Sequence, residues 1–208
     1  MKTPLIVSGI ALSAGIATSA NAAFTGFTVQ NVGSGGGLGV SVYQVYANFN
    51  APTDILLNVL KHNVTSGTMN ALHNDFGGGI WNPSLTILPD QVANDSFVTV
   101  SGLTGVNSQT NLDPSFGTGL GAAIPTNAGW FNSNPSSNIV VGSSLKIMIM
   151  QVVLVVGNAG YTASLEVGYK ESPSATQPLF GSGTYTIPAP GALALLGAAG
   201  LMGRRRRA

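Results

Sequence analysis

The stretch that most constrains this chain runs over residues 145–170. Residues 145–156 are almost continuously apolar and rich in Val and Ile, and only Lys146 and Gln151 interrupt them. A run this short cannot span a bilayer. Its β-branched, apolar character on both faces predicts a central strand covered on both sides. Gly157-Asn158-Ala159-Gly160 then carries turn chemistry. Beyond it Tyr161, Ala163, Leu165, Val167 and Tyr169 alternate with Thr162, Ser164, Glu166, Gly168 and Lys170. Period two with one polar face predicts a half-buried strand, and the short turn between the two segments predicts a hairpin.

Further candidate strands are residues 26–31, 40–49, 55–60, 85–88, 97–101 and 184–187. No stretch carries a capped apolar stripe of helical period. Short strands separated by Gly, Asn and Pro clusters predict an all-β fold, a single β-sandwich or jelly-roll domain. Residues 102–142 are mostly Gly, Asn, Ser and Pro and predict one long loop.

The formal net charge of +1 conceals an uneven distribution. Lys2 and Arg204, Arg205, Arg206 and Arg207 lie at the two ends. Between them Lys61, Lys146 and Lys170 face all seven acids, a net of −4. Such a domain has no electrostatic footprint for nucleic acid. The absence of cysteine excludes disulfides, thiolate metal sites and a Cys nucleophile.

Lys2, an apolar run over residues 5–17 and the small residues Ala20 and Ala22 form a signal-peptide pattern. It predicts a signal helix over residues 1–22, cut by signal peptidase after Ala22, with Ala23 as the second choice. A domain of unknown function over residues 23–185 follows. The last segment, residues 187–208, combines Pro188, Ala189 and Pro190 with an apolar Gly/Ala/Leu run and the terminal arginines. Thirteen apolar or small residues (191–203) rise about 20 Å as a helix, less than a bilayer core of about 30 Å. The segment is marginal as a short transmembrane helix, and the arginines would hold its end in the cytoplasm.

This ending resembles the PEP-CTERM sorting domain of exported Gram-negative bacterial proteins, with Ala189 where the motif usually has Glu. The resemblance implies processing by an exosortase-type membrane protease near the proline motif. It also implies a transient stay in the inner membrane, and bacteria that make extracellular polysaccharide. A second resemblance covers residues 42–49, Pro52, Asp54, Leu56, Leu57 and residues 95–100. These look like segments of uncharacterised exported proteins with the same tail, and they imply no activity.

Catalytic signatures are absent from the sequence. There is no G-x-S-x-G elbow, no dinucleotide fingerprint and no P-loop. The glycines of residues 33–39 read as a flexible edge loop. His62 and His73 read as surface or loop residues, too few for a catalytic zinc with three protein ligands. Asp75, Asp90, Asp95 and Asp113 sit in Gly/Asn/Pro-rich segments where carboxylates could gather around calcium; turn capping explains them as well. No other cofactor is implied. Pairing Asp75 with Asp95 as glycosidase carboxylates has no specific support. Trp81 with Asn82, and Trp130 with Phe131, place large aromatics near amides. That suits sugar stacking if they are exposed, and a core plug if they are buried.

The expectation is therefore a non-enzymatic, structural or interaction protein of the cell surface or extracellular matrix. A carbohydrate-binding module of the exopolysaccharide is the alternative, and a hydrolase a distant third.

Overall fold

The computed structural model describes residues 23–33, 39–73, 81, 95–100, 110–117, 121–132 and 139–190. They form ten strands: β1 (Phe24–Gly33), β2 (Val40–Phe49), β3 (Ile55–Gly67), β4 (Phe97–Val98), β5 (Thr110–Leu112), β6 (Ala128–Asn132), β7 (Ile139–Val140), β8 (Lys146–Val155), β9 (Tyr161–Lys170) and β10 (Leu179–Ile187). The only helical turn among the described residues is a 3-10 turn over Pro114–Phe116. The fold is all-β, as the alternation predicts. The strands make two antiparallel sheets, one ordered β1-β2-β8-β4 and the other β10-β9-β3-β6-β5, with β7 also paired to β3.

The two sheets share one apolar core. Tyr43, Val45, Ile149, Val152 and Leu154 come from the first sheet, and Leu56, Val59, Trp130, Leu165 and Val167 from the second. β8 lies between β2 and β4, and its burial on both faces matches its sequence. On the face turned away from the core, Val153 packs with Val40, Val42 and Leu72. The segment around Leu72 is tied there, because the Leu72 N–H donates to the Val153 carbonyl at 2.7 Å and the Val153 N–H donates to Ser96 Oγ at 2.9 Å. The one amide in the apolar run is also satisfied. Gln151 Nε2 donates to the Asp95 carbonyl at 2.9 Å, and its Oε1 accepts from Gln44 Nε2 at 3.1 Å.

The predicted hairpin is wrong in its pairing. β8 and β9 belong to different sheets. β8 has β2 on one edge and β4, extended by Ser96 and Leu72, on the other. β9 has β3 and β10 on its two edges. Neither strand has an edge left for the other, so residues 156–160 carry the chain from one sheet across to the next.

The predicted long loop also fails, since residues 102–142 contain β5, the 3-10 turn, β6 and β7. Glycine there serves close packing. A Cβ on Gly129 would stand 2.9 Å from the Val59 carbonyl and 3.0 Å from Asp113 Oδ2. Only glycine lets β6 lie this tightly against β3.

The last strand begins five residues earlier than the predicted 184–187. Its Gly-Ser-Gly sequence reads as a break, yet Gly181 and Gly183 face inward beneath the Phe24 and Phe27 rings of β1. Those rings fill the space that the glycines leave. The predicted strand at residues 85–88 lies outside the described residues.

Candidate functional site

Both tryptophans are fully buried, so neither indole is open to a sugar face, and the sugar-stacking expectation for Trp81 and Trp130 is corrected. Trp81 Nε1 donates to the Gly121 carbonyl at 3.0 Å, and its ring stacks on His73 at 4.8 Å. Trp130 lies in β6, with Nε1 donating to the Thr99 carbonyl at 3.2 Å and Phe116 edge-on at 6.4 Å. Satisfied indole N–H groups on a buried apolar body are what a core plug requires. Phe131, the next residue along β6, points the opposite way and is 40% exposed. Asn82 lies outside the described residues.

His62 corrects the surface assignment, because it is buried in β3. A bulge decides this. Lys61 adopts φ 56, and the pairing of β3 with both β6 and β9 shifts register at this point. The extra residue re-aims the following side chain. Lys61 turns outward to bond Glu166 at 3.0 Å, while His62 turns into the core. There His62 Nε2 meets the Tyr185 hydroxyl at 3.0 Å, and Tyr185 meets the Tyr161 hydroxyl at 3.4 Å.

Burial lowers the His62 pKa to about 4, with the Pro125 carbonyl offsetting part of the effect. Burial likewise raises both tyrosines. For Tyr185 the neighbouring Tyr161 adds to the rise, and for Tyr161 the hydrogen bond to Tyr185 opposes it. The group is a neutral, sealed His-Tyr-Tyr chain. No substrate can reach it, so its chemistry is that of a core pin joining β3, β9 and β10.

The acids are dispersed. Asp113 caps the 3-10 turn, its Oδ1 accepting from the Ser115 N–H at 2.9 Å, which is the turn role weighed from sequence. Asp95 approaches His73 Nδ1 at 3.4 Å. Asp75 and Asp90 lie outside the described residues, and no three His or acidic residues gather around one point among the described ones. Asp54 enters the sequence reading only through the second resemblance, with no chemical role. It is fully shielded from solvent. Neither of its carboxylate oxygens has a hydrogen-bond partner. Burial raises its pKa, Glu171 adds to the rise, and the Ala51 backbone opposes it.

At the two junctions, Ala23 and residues 188–190 are described, whereas Ala20, Ala22, the signal helix, the apolar tail and Arg204 to Arg207 are not. The Ala23 N–H donates to Asn50 Oδ1 at 2.6 Å, and its carbonyl accepts from the Asn50 N–H at 3.1 Å. Pro188, Ala189 and Pro190 follow β10 directly and are half-buried. A Cβ on Gly160 would stand 2.6 Å from the Ala189 nitrogen and 2.9 Å from the Pro188 carbonyl carbon. No helix of the described residues is long and apolar enough to cross a membrane.

No protein-family model matches the chain, and no curated protein matches it either.

Proposed function

We propose that this chain is an exported, non-enzymatic protein of the bacterial cell surface or extracellular matrix, with a structural or interaction role. On this view signal peptidase removes residues 1–22. A short C-terminal membrane helix then holds the precursor in the inner membrane until an exosortase-type protease cuts near Pro188, Ala189 and Pro190. The intervening residues form one β-sandwich or jelly-roll domain that takes no obligatory cofactor.

The observation that carries this proposal is where the strands begin and end. β1 starts at Phe24, one residue after the first expected mature residue, and β10 ends at Ile187, the residue before the proline motif. The first and the last described strands therefore abut the two expected processing points. Further support comes from the sealed His-Tyr-Tyr chain and the buried tryptophans, which leave the conspicuous chemical side chains inside the core. Calcium is the one cation that the Asp-bearing Gly/Asn/Pro-rich segments suggest, and among the described residues no ligand set is assembled for it.

Terminal sequencing by mass spectrometry of the protein recovered from the cell surface tests the proposal. The expected N-terminus is Ala23 or Phe24, and the expected C-terminus lacks Arg204 to Arg207. An intact Met1 would refute export by cleavage. Retained arginines would make the tail a plain anchor.

A further inference from the structure

The two sheets end in β1 and β4, and in β10 and β5. Three of these edges are blunted. β4 and the off-path β7 are two residues long, and β5 three. β1 is long, but its pairing with β2 shifts register between Phe24 and Gly26 and again between Asn31 and Gly33. Short strands and bulges are devices that stop an edge from recruiting another chain. β10 has neither. Its nine residues, Leu179–Ile187, pair with β9 in unbroken register and include no charged residue and no proline. It is the last strand of its sheet, so no second strand among the described residues takes the backbone N–H and C=O groups along its other side. β1 does not lie along that side. It packs on the inner face, where Phe24 and Phe27 sit over Gly181 and Gly183 and the Phe27 ring meets Tyr185 edge-on at 6.3 Å.

We propose that β10 pairs antiparallel with β10 of a second copy of this chain, about a twofold axis at Gly183, and so joins two second sheets into one.

The strand's own sequence selects this occupant. About that axis Ser182 stands opposite Thr184 of the second copy, Phe180 opposite Thr186, Gly181 opposite Tyr185 and Leu179 opposite Ile187. Residues directly opposite share a face. The pairs suit one another: hydroxyl with hydroxyl, aliphatic with aliphatic, and a ring beside a glycine, the pairing that compensates for glycine in a strand. A twofold axis brings the same surface of each copy together, so any charge near it would meet its like, and β10 carries none. Leu179 and Phe180, 37% and 58% exposed, are the apolar side chains that the pairing covers. An unrelated extended peptide would form the same backbone bonds without requiring this symmetry in β10. The pairing belongs to the folded domain and does not depend on the route of export.

Sedimentation velocity of the purified chain over a range of concentrations tests the proposal. The wild type should be a reversible dimer. Ser182→Lys combined with Thr184→Lys sets lysine against lysine across the axis, and should weaken the dimer by at least about tenfold. Ser182→Lys combined with Thr184→Glu sets lysine against glutamate at the same positions, and should dimerise at least as tightly as the wild type. Within one copy Ser182 pairs with Glu166 of β9, so lysine suits that position in the monomer, and both variants should keep the wild-type circular dichroism. Phe131→Asp, on β6 across the same sheet, should leave the dimer unchanged. The proposal is overturned if the wild type is a monomer at every concentration, if the two double variants dimerise equally, or if assembly continues beyond two copies. It is equally overturned if Phe131→Asp dissociates the dimer, since the copies would then meet through the outer face and not the edge.

Discussion

The two sheets treat their outer faces in opposite ways. In the first, the face turned from the core is closed over: Val153, Val40 and Val42 lie beneath Leu72, and Gln44 and Gln151 satisfy each other under the Asp95 carbonyl. In the second, the corresponding face carries Thr162, Ser164, Ser182 and Thr184, with Phe131 and Phe180 standing out of it. The difference is written in β8 and β9. A strand apolar on both faces needs two covers, and one that alternates needs only one.

The largest test of this contrast places one charge on each outer face. Val153→Asp buries a carboxylate with no partner, which costs several kcal/mol or forces the group neutral. The variant should be unfolded, or strongly destabilised in urea. Thr184→Asp, on an exposed position of β10, should change stability by no more than about 0.5 kcal/mol. Equal effects at the two positions would erase the distinction between a closed and an open face.

The closed face was legible in the sequence and the open face only half so. Residues 145–156 showed that β8 needs two covers, and the polar set from Thr162 to Lys170 showed which side of β9 meets water. Register was not legible, because it depends on which strands lie side by side, and short-range pattern made β8 and β9 partners when each already had both edges filled. Phe180 escaped for a local reason. It precedes Gly181-Ser182-Gly183, a sequence with poor strand propensity, and only the rings of Phe24 and Phe27, far away in the chain, make those glycines strand residues. His62 escaped because strict alternation after Val59 would turn it outward; the bulge at Lys61 reverses the phase. The tryptophans were legible as large aromatics, and their burial required knowing what covers them.

Acid gives the next test, asking whether the inner face of the open sheet is as well sealed as the outer face of the closed one. His62 is neutral in the fold, with a pKa near 4 against 6.5 when unfolded. Its contribution is fully present above pH 6.5. As pH falls from there to about 4, the unfolded chain takes up the proton first and stability is lost; below about 4 nothing further changes. The difference amounts to about 3 kcal/mol. Asp54 works in the opposite direction, because its raised pKa means that protonation favours the fold. The readout is therefore the difference in urea stability between wild type and His62→Gln, which can still bond Tyr185 but cannot titrate. That difference should shrink by about 3 kcal/mol, in favour of the variant, between pH 7 and pH 4. A pH-independent difference would mean that water reaches the imidazole.

The smallest effect concerns the residue that decides which face His62 joins. Lys61 holds φ 56, a left-handed conformation in which an L side chain is strained by roughly 1 kcal/mol and glycine is not. Its side chain is 66% exposed at the Glu166 pair, so that pair contributes little, between zero and about 1 kcal/mol. Two substitutions separate these effects. Lys61→Ala removes the ion pair and keeps the strain, so it should lose at most about 1 kcal/mol. Lys61→Gly removes both, and should be more stable than Lys61→Ala by about 0.5–1 kcal/mol. In both variants the acid dependence of His62 should persist, because the phase of β3 is set by the extra residue and not by its charge. If Lys61→Ala equals or exceeds Lys61→Gly in urea, the left-handed bulge is absent in solution. The alternation of β3 would then run unbroken and send His62 out toward the open face.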